Sequence, residues 1–342
     1  MPPSLSLFPH TMESARLRYR RPQALDADAI FARYAGDPEV TRYLAWPRHQ
    51  SVDDTRAFIA WSDGQWAKWP AGPLLIESKD DGRLLGSTGL TFESMTSAST
   101  GYVLARDAWG HGYATEALAA MTSLADSLKV TRLFALCHPQ HHASARVLEK
   151  GGFLLNASFI PSSFPNLDAT DRGESRMYLR PPDLDVEPLA DAADARECAR
   201  MMASSEPWIT LQRTADALVP VISDPVKDVH LVRDADGIAA FVILDLRGLT
   251  NGYVQTICVR DDRRGGGLGA ALLGWSEIYI QQQSPNVFLC VSSFNAGAQR
   301  FYARLGYERV GVLREYVVNG YDEILMRKTI GPLRSSTKAE PR

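Results

Sequence analysis

The chain has 342 residues, of which 45% are hydrophobic and 23% charged, with a formal net charge of −3. That length allows two domains of ordinary size, and the composition is too apolar for a disordered chain. No run of five like charges appears and no apolar run reaches membrane-spanning length, so neither nucleic acid nor a membrane is expected as a partner.

The start of the chain lacks the charged end and long apolar centre of a signal peptide, which makes a cytoplasmic location the expectation. Residues 1–14, with Pro2, Pro3 and Pro9, read as a flexible arm. Residues 17–20 open the first strand, and 26–34 look helical until Asp37-Pro38 breaks the pattern. Asp53 and Asp54 suit the N-terminus of a helix that carries Ala57, Phe58 and Trp61. The cluster Trp61, Trp66 and Trp69 reads either as core and lid packing or as pocket lining. Residues 74–77 and 84–92, around Asp80-Asp81-Gly82, make a hairpin, and 101–105 a further strand. Trp109-Gly110-His111-Gly112-Tyr113-Ala114-Thr115-Glu116-Ala117 is then a glycine turn entering an apolar helix. A strand at 133–137, a helix at 143–150, the exit Gly151-Gly152-Phe153 and a strand at 174–179 close this half.

The second half repeats the order. A strand at 185–189, helices at 191–202 and 214–222 and a hairpin over 229–246 precede a strand at 256–259, a glycine turn, a strand at 287–291, a helix at 296–305 and Gly306-Tyr307. Gly152-Phe153 and Gly306-Tyr307 lie 154 residues apart and the two glycine turns 157, a whole-domain duplication rather than a solenoid. The expected organisation is a domain at 15–180, a linker at 181–183 containing Pro181 and Pro182, a domain at 184–331 and a flexible tail at 332–342. Cys137, Cys198, Cys258 and Cys290 are scattered and predict no disulfide.

The stretch richest in chemistry is 254–277. Alternating β-branched and apolar residues run into Gly265, Gly266, Gly267 and Gly269, and helical periodicity follows from Ala270. Glycines clear side chains from backbone N–H groups, and a helix N-terminus brings unpaired donors and a positive dipole end, so the turn is a cradle for phosphate or pyrophosphate. The dinucleotide pattern G-x-G-x-x-A can be laid over Gly265, Gly267 and Ala270, but no acidic residue closes a second strand about 20 residues on. A connector with no ligand would need neither the strand before it nor the apolar helix after it.

Arg264-x-x-Gly267-x-Gly269 resembles the acyl-CoA pyrophosphate loop of the GNAT N-acetyltransferase superfamily. Asn295-x-x-Ala298-x-x-Phe301-Tyr302-x-x-Leu305-Gly306-Tyr307 extends the resemblance over 184–331. Residues 13–180 resemble the branch that acetylates ribosomal-protein alanine and serine N-termini, through Arg16-Leu17-Arg18, Asp37-Pro38-Glu39-Val40, the Trp-Gly-x-Gly stretch and Ser144-x-x-x-Leu148-Glu149-Lys150-x-Gly152-Phe153. The resemblance implies an α+β fold of two tandem domains, each a mostly antiparallel sheet splayed open beside one strand to admit acetyl-CoA.

It further implies coenzyme contacts from Ile257, Cys258, Val259, Arg264, Gly265, Gly266, Gly267, Leu268, Gly269, Ala270 and Asn295 in the second half, and from Gly110, His111, Gly112, Tyr113, Ala114 and His141 in the first. Tyr302 and Ser144 are then the candidate general acids for the departing thiolate. Asn295 equally suits a helix N-cap and Tyr302 a core aromatic. No carboxylate lies at 253–259, which leaves Gln255 through a water, Tyr316 or Glu206 as proton acceptors. The first half departs from the pattern at Asp107, in the slot where Arg or Gln begins the pyrophosphate loop, at His141 in place of Asn, and at Ser99-Thr100 in place of Glu. Cys137, His138, His141 and His142 lack the second ligand pair of a structural zinc site, so no metal is expected. The resulting expectation is acetyl transfer from acetyl-CoA to a primary amine on a small molecule or a peptide N-terminus, chiefly in the second half. A non-catalytic acyl-CoA-binding sensor or scaffold is the alternative.

Overall fold

A computed structural model describes residues 11–168, 173–247 and 251–333. Most of the expected arm and tail, residues 1–10 and 334–342, lies outside them. The chain divides into two compact units at Arg180 and Pro181, with Asn156–Ser158 grouped with the second. No helix among the described residues is long and apolar enough to cross a membrane.

The first unit runs β1 (Thr11–Glu13), β2 (Leu17–Arg20), α1 (Ala27–Ile30), α2 (Val52–Lys68), β3 (Pro73–Ser78), β4 (Leu84–Ser94), β5 (Ser97–Leu104), α3 (Tyr113–Ser127), β6 (Arg132–Cys137), α4 (His142–Lys150), β7 (Leu154–Pro161) and β8 (Glu174–Leu179). Its sheet has the order β1-β2-β3-β4-β5-β6-β8-β7, with β5 and β6 parallel. Period-2 alternation distributes β3 between two cores. Leu74 and Ile76 pack with Met121 and Leu124 of α3, whereas Leu75 packs with Ile30, Tyr34 and Ile59 on the other face. Ser51 and Asp54 close a capping box at the start of α2, which sets that helix against the second face. The strand expected at 101–105 begins four residues earlier, at Ser97, because β4 and β5 turn directly at Met95-Thr96. That turn holds neither glycine nor proline, and its run of small polar residues reads as a loop.

The second unit runs β9 (Glu187–Pro188), α5 (Ala192–Ala203), α6 (Ala215–Ile222), β10 (Asp228–Asp234), β11 (Gly237–Asp245), β12 (Tyr253–Val259), α7 (Leu268–Gln281), β13 (Asn286–Ser292), α8 (Ala296–Arg304), β14 (Glu308–Val318) and β15 (Tyr321–Thr329). The sheet order is β14-β15-β13-β12-β11-β10-β9, with β12 and β13 parallel. Leu272, Leu273 and Ile280 of α7 cover one face, and Cys198, Met202 and Leu218 of α5 and α6 cover the other. Val254, Ile257 and Val259 all join the α7 core, a change from even to odd positions that an unbroken strand cannot make. The register supplies the cause: Ile243 faces Thr256 while Leu244 faces Val254, so Gln255 is the extra residue of a β-bulge.

Candidate active site

Both glycine turns adopt the same backbone. Gly110 and Gly112 have φ of 79°, Gly265 and Gly267 have 77° and 85°, and Gly112 and Gly267 are the N-caps of α3 and α7. An L-residue in that left-handed region costs roughly 1–2 kcal/mol, which explains why glycine recurs at both places in both turns. Neither Gly110 nor Gly265 has anything within 4 Å of an added Cβ, so both turns present open backbone. His111 and Gly266 sit between the paired glycines. Tyr113 and Ala114 begin α3 as Leu268, Gly269 and Ala270 begin α7. A Cβ on Gly269 would stand 3.3 Å from Val259 Cγ2, so glycine also lets α7 close on β12.

Aligning the N-caps gives an offset of 155 residues, not 157, and this corrects the sequence alignment of the first half. Trp109, not Asp107, corresponds to Arg264, and Asp107 corresponds to Asp262. Asp107 is moreover held by Arg33 at 2.7 Å and Arg83 at 2.9 Å, and the Arg33 guanidinium keeps its carboxyl below the ordinary carboxylate range. Its charge is already compensated. The first turn has a cation that the sequence reading did not assign: Arg16 Nη1 donates to His111 O at 2.9 Å, Nη2 lies 3.5 Å from a Cβ built on Gly112, and the guanidinium sits 4.7 Å over the Tyr113 ring. Glu116 holds Arg16 Nε at 2.7 Å. In the sequence this cation is nearly 100 residues from its turn, beyond the reach of any local motif. Arg264 is folded back: Nε donates to Val259 O at 3.1 Å, Nη2 to Ser205 Oγ at 2.8 Å, and Nη1 pairs with Asp261.

Each parallel strand pair is joined at one end and open at the other. Pairing of β5 with β6 stops after Ser99↔Phe134, and pairing of β12 with β13 stops after Val254↔Leu289. Ile257, Cys258 and Val259 lie on the open part of β12, with the Cys258 side chain buried in the α5–α6 core. His141 and Asn295 are the N-caps of α4 and α8 with nearly equal backbone angles, but only Asn295 caps with its side chain, accepting from Ala298 N–H at 3.0 Å.

The two candidate acids occupy different turns of equivalent helices, since Ser144 corresponds to Ala298 and Tyr302 to Leu148. Tyr102 Oη donates to Ser144 O at 3.0 Å and lies 3.0 Å from Ser144 Oγ. Tyr302 packs edge-on against Phe301 and Tyr307, with ring centroids 5.2 and 5.7 Å away, and burial pushes its phenol up to about 12. A phenol that stays protonated at neutral pH satisfies both the core and the acid reading.

In the first unit the open end of the sheet leads into a cavity of about 860 Å³. Gly101, Tyr102 and Val103 of β5, Ala135, Leu136 and Cys137 of β6, and Ser144, His138 and His141 line it. Tyr43 stacks on both histidines, with centroids 5.0 and 4.8 Å away. Burial lowers the His141 imidazole to about 4 and lowers His49 as well, so both are neutral at pH 7. Of the tryptophan cluster, Trp66 is core, Trp69 stacks on Phe92 at 5.5 Å, and Trp61, 47% exposed, lines the cavity.

In the second unit the proposed proton acceptors differ in setting. Glu206 accepts from Thr210 Oγ1 at 3.1 Å, Tyr316 is exposed, and Gln255 Oε1 is buried without a hydrogen-bond partner among the described residues. A carboxylate that the sequence reading missed lies on β15. Glu323 faces Ser292 across the sheet, accepts from Ser292 Oγ at 2.7 Å, and has its pKa raised by burial. Strand pairing alone brings it to the β12–β13 opening, and pairing is not written locally in the chain.

Residues 16–154 match a family model described as an acetyltransferase (GNAT) domain, and residues 226–309 match another of the same description. The chain is 30% identical over 141 residues to the uncharacterized protein YkkB of Bacillus subtilis strain 168, covering 40% of this chain and 81% of the relative. It is also 30% identical over 155 residues to the uncharacterized N-acetyltransferase YoaA of the same strain, covering 43% and 84%. Among solved structures, the acetyltransferase from Salmonella typhimurium that modifies the N-terminal serine of ribosomal protein L7/L12 is similar at 20% identity and a TM-score of 0.43, over 49% of this chain and 95% of that one.

Proposed function

The chain belongs to the GNAT acetyltransferase family, and from that premise we propose that it transfers the acetyl group of acetyl-CoA to a primary amine, with the first unit as the principal site of transfer. The observation that carries this reading is the cavity of about 860 Å³ that opens from the β5–β6 splay onto Ser144 and His141. It brings room for an acceptor, the open sheet edge and a hydroxyl donor to one place. Asp107, paired with Arg33 and Arg83, brings no uncompensated negative charge to this half, and Arg16 supplies the cation at its turn.

Pyrophosphate rests on the amides of Gly110, His111 and Gly112 at the N-terminus of α3, and the thioester lies along β5. The amine nitrogen attacks the thioester carbon, the N–C bond forms and the C–S bond breaks. Ser144, oriented by Tyr102, gives its hydroxyl proton to the thiolate and is reprotonated by the proton that leaves the amine.

A second reading, with transfer in the second unit, is supported by the β-bulge at Gln255, which interrupts the β11–β12 register one residue past the last β12–β13 pair, and by Tyr302 as acid with Glu323 as proton acceptor. Gly112→Glu and Gly267→Glu, each filling one cradle with an anion, decide between the readings when acetyl transfer is followed on a common amine. Gly112→Glu is expected to abolish transfer while Gly267→Glu retains most of it. The opposite pattern moves the reaction to the second unit, and loss of coenzyme binding in neither folded variant removes the cradle assignment.

A further inference from the structure

We infer that the first-unit cavity takes an amine carried on a flat aromatic body, anchored by a hydrogen bond to Ser175 and held without an ion pair. This rests on the reading of the cavity as the acceptor site. The first observation is its wall. Trp46, His49, Phe58 and Trp61 follow one another ring to ring, with centroids 5.2, 6.3 and 6.0 Å apart and inclined faces, and they run from half-buried Trp46 to exposed Trp61 along the cavity lining. A planar ring lying against such a wall gains offset or edge contacts in addition to buried area.

The second observation is an unmet hydrogen bond. Ser175 lines the cavity at 1% exposure, and its Oγ has no hydrogen-bond partner among the described residues. A buried hydroxyl left unpaired costs free energy that a polar atom of a ligand recovers, so this position selects for an acceptor with a donor or acceptor group on its ring system.

The third is the charge inventory. Arg48 and Asp54 are the formally charged side chains in the lining. Arg48 donates to Gly36 O at 3.2 Å and to Gln50 Oε1 at 3.3 Å. Asp54, at the solvent-exposed rim, accepts from the amides of Gln50 and Ser51 at 2.7 and 3.0 Å. Neither is among the charged groups that act on the His141 imidazole, which lines the cavity with Ser144, where the amine must react. An alkylammonium would shed its water there without a counter-ion, whereas an arylamine, already neutral at pH 7, would not.

The test compares aniline with cyclohexylamine, equal in heavy atoms and differing in ring planarity and charge, by calorimetry on the full chain saturated with CoA, and by acetyl transfer. Aniline is expected to bind at least about tenfold more tightly. An aniline bearing a meta hydroxyl is expected to bind more tightly still, and to lose that advantage in Ser175→Ala. Trp61→Ala, at an exposed position outside the buried core clusters, is expected to weaken both aromatic ligands by about tenfold. Equal or tighter binding of cyclohexylamine overturns the inference, as does unchanged aromatic affinity in the folded Trp61→Ala, Ser175→Ala double variant. Aromatic binding with no transfer to any amine supports this inference and overturns the acetyl-transfer reading instead.

Discussion

Ser144 and Tyr302 make the same chemical offer from different places. Ser144 has a polar neighbour in Tyr102 at 3.0 Å, which fixes its hydroxyl and replaces the proton's solvation. Tyr302 is surrounded by rings, and its raised pKa follows from burial alone. With the first unit as the site, Ser144→Ala is expected to lower turnover by about 10² to 10⁴ and leave coenzyme affinity nearly unchanged, because the hydroxyl acts only as the C–S bond breaks. Steady-state kinetics with calorimetry of CoA binding checks this. Turnover at the wild-type level would reduce Ser144 to a partner of Tyr102.

At the scale of elements, the N-caps of α4 and α8 show what one residue changes. Asn295 satisfies the amide of Ala298, whereas His141 leaves its helix uncapped by side chain and spends its ring on Tyr43. His141→Asn gains a cap of about 1 kcal/mol and loses a ring stack of about 0.5–1 kcal/mol, so stability at neutral pH should change little. Its pH dependence should change more. Burial lowers the folded-state His141 to about 4. Between the ordinary histidine value near 6.5 and that point, the unfolded chain takes up a proton that the folded chain refuses, so stability falls as pH falls. Denaturant unfolding at pH 7 and pH 5 should show a smaller loss in His141→Asn than in the native chain. An identical loss would mean that other groups set the slope.

The same elements show what a linear reading reaches. The glycine turns, the strand and helix around them, the Asn295 cap and the duplication were legible, the first three because each is written within a few residues by backbone tolerance, dipole or period, and the last because the same motifs recur in order. The bulge at Gln255 was half-visible, since Val254, Ile257 and Val259 are apolar at positions no unbroken strand puts on one face. Arg16 at the first turn, Glu323 at the β13 edge and the pairing of Asp107 with Arg33 and Arg83 were not legible. Each depends on which distant strands lie side by side. Matching glycine letters sets Asp107 opposite Arg264, whereas the pair of left-handed φ angles that the two turns share sets Trp109 there.

For the molecule as a whole, the cavity and the cradles respond differently to the same solvent. On the proposed reading the cradle of the first unit meets a polyanion with amide dipoles and the exposed Arg16 guanidinium, 47% accessible, whereas Arg48 and Asp54 in the cavity lining are hydrogen-bonded and the His49 and His141 imidazoles there are neutral. Counter-ions therefore compete at one end of the reaction and have little to screen at the other. Raising ionic strength from roughly 0.01 to 0.15 M shortens the screening length from about 30 to 8 Å. Over that range KM for the coenzyme should rise several-fold while KM for the acceptor stays nearly flat, a divergence that initial-rate kinetics at two salt concentrations would reveal. Such a protein would tolerate changes of cellular salt in choosing its acceptor, and would register them in how much coenzyme it holds.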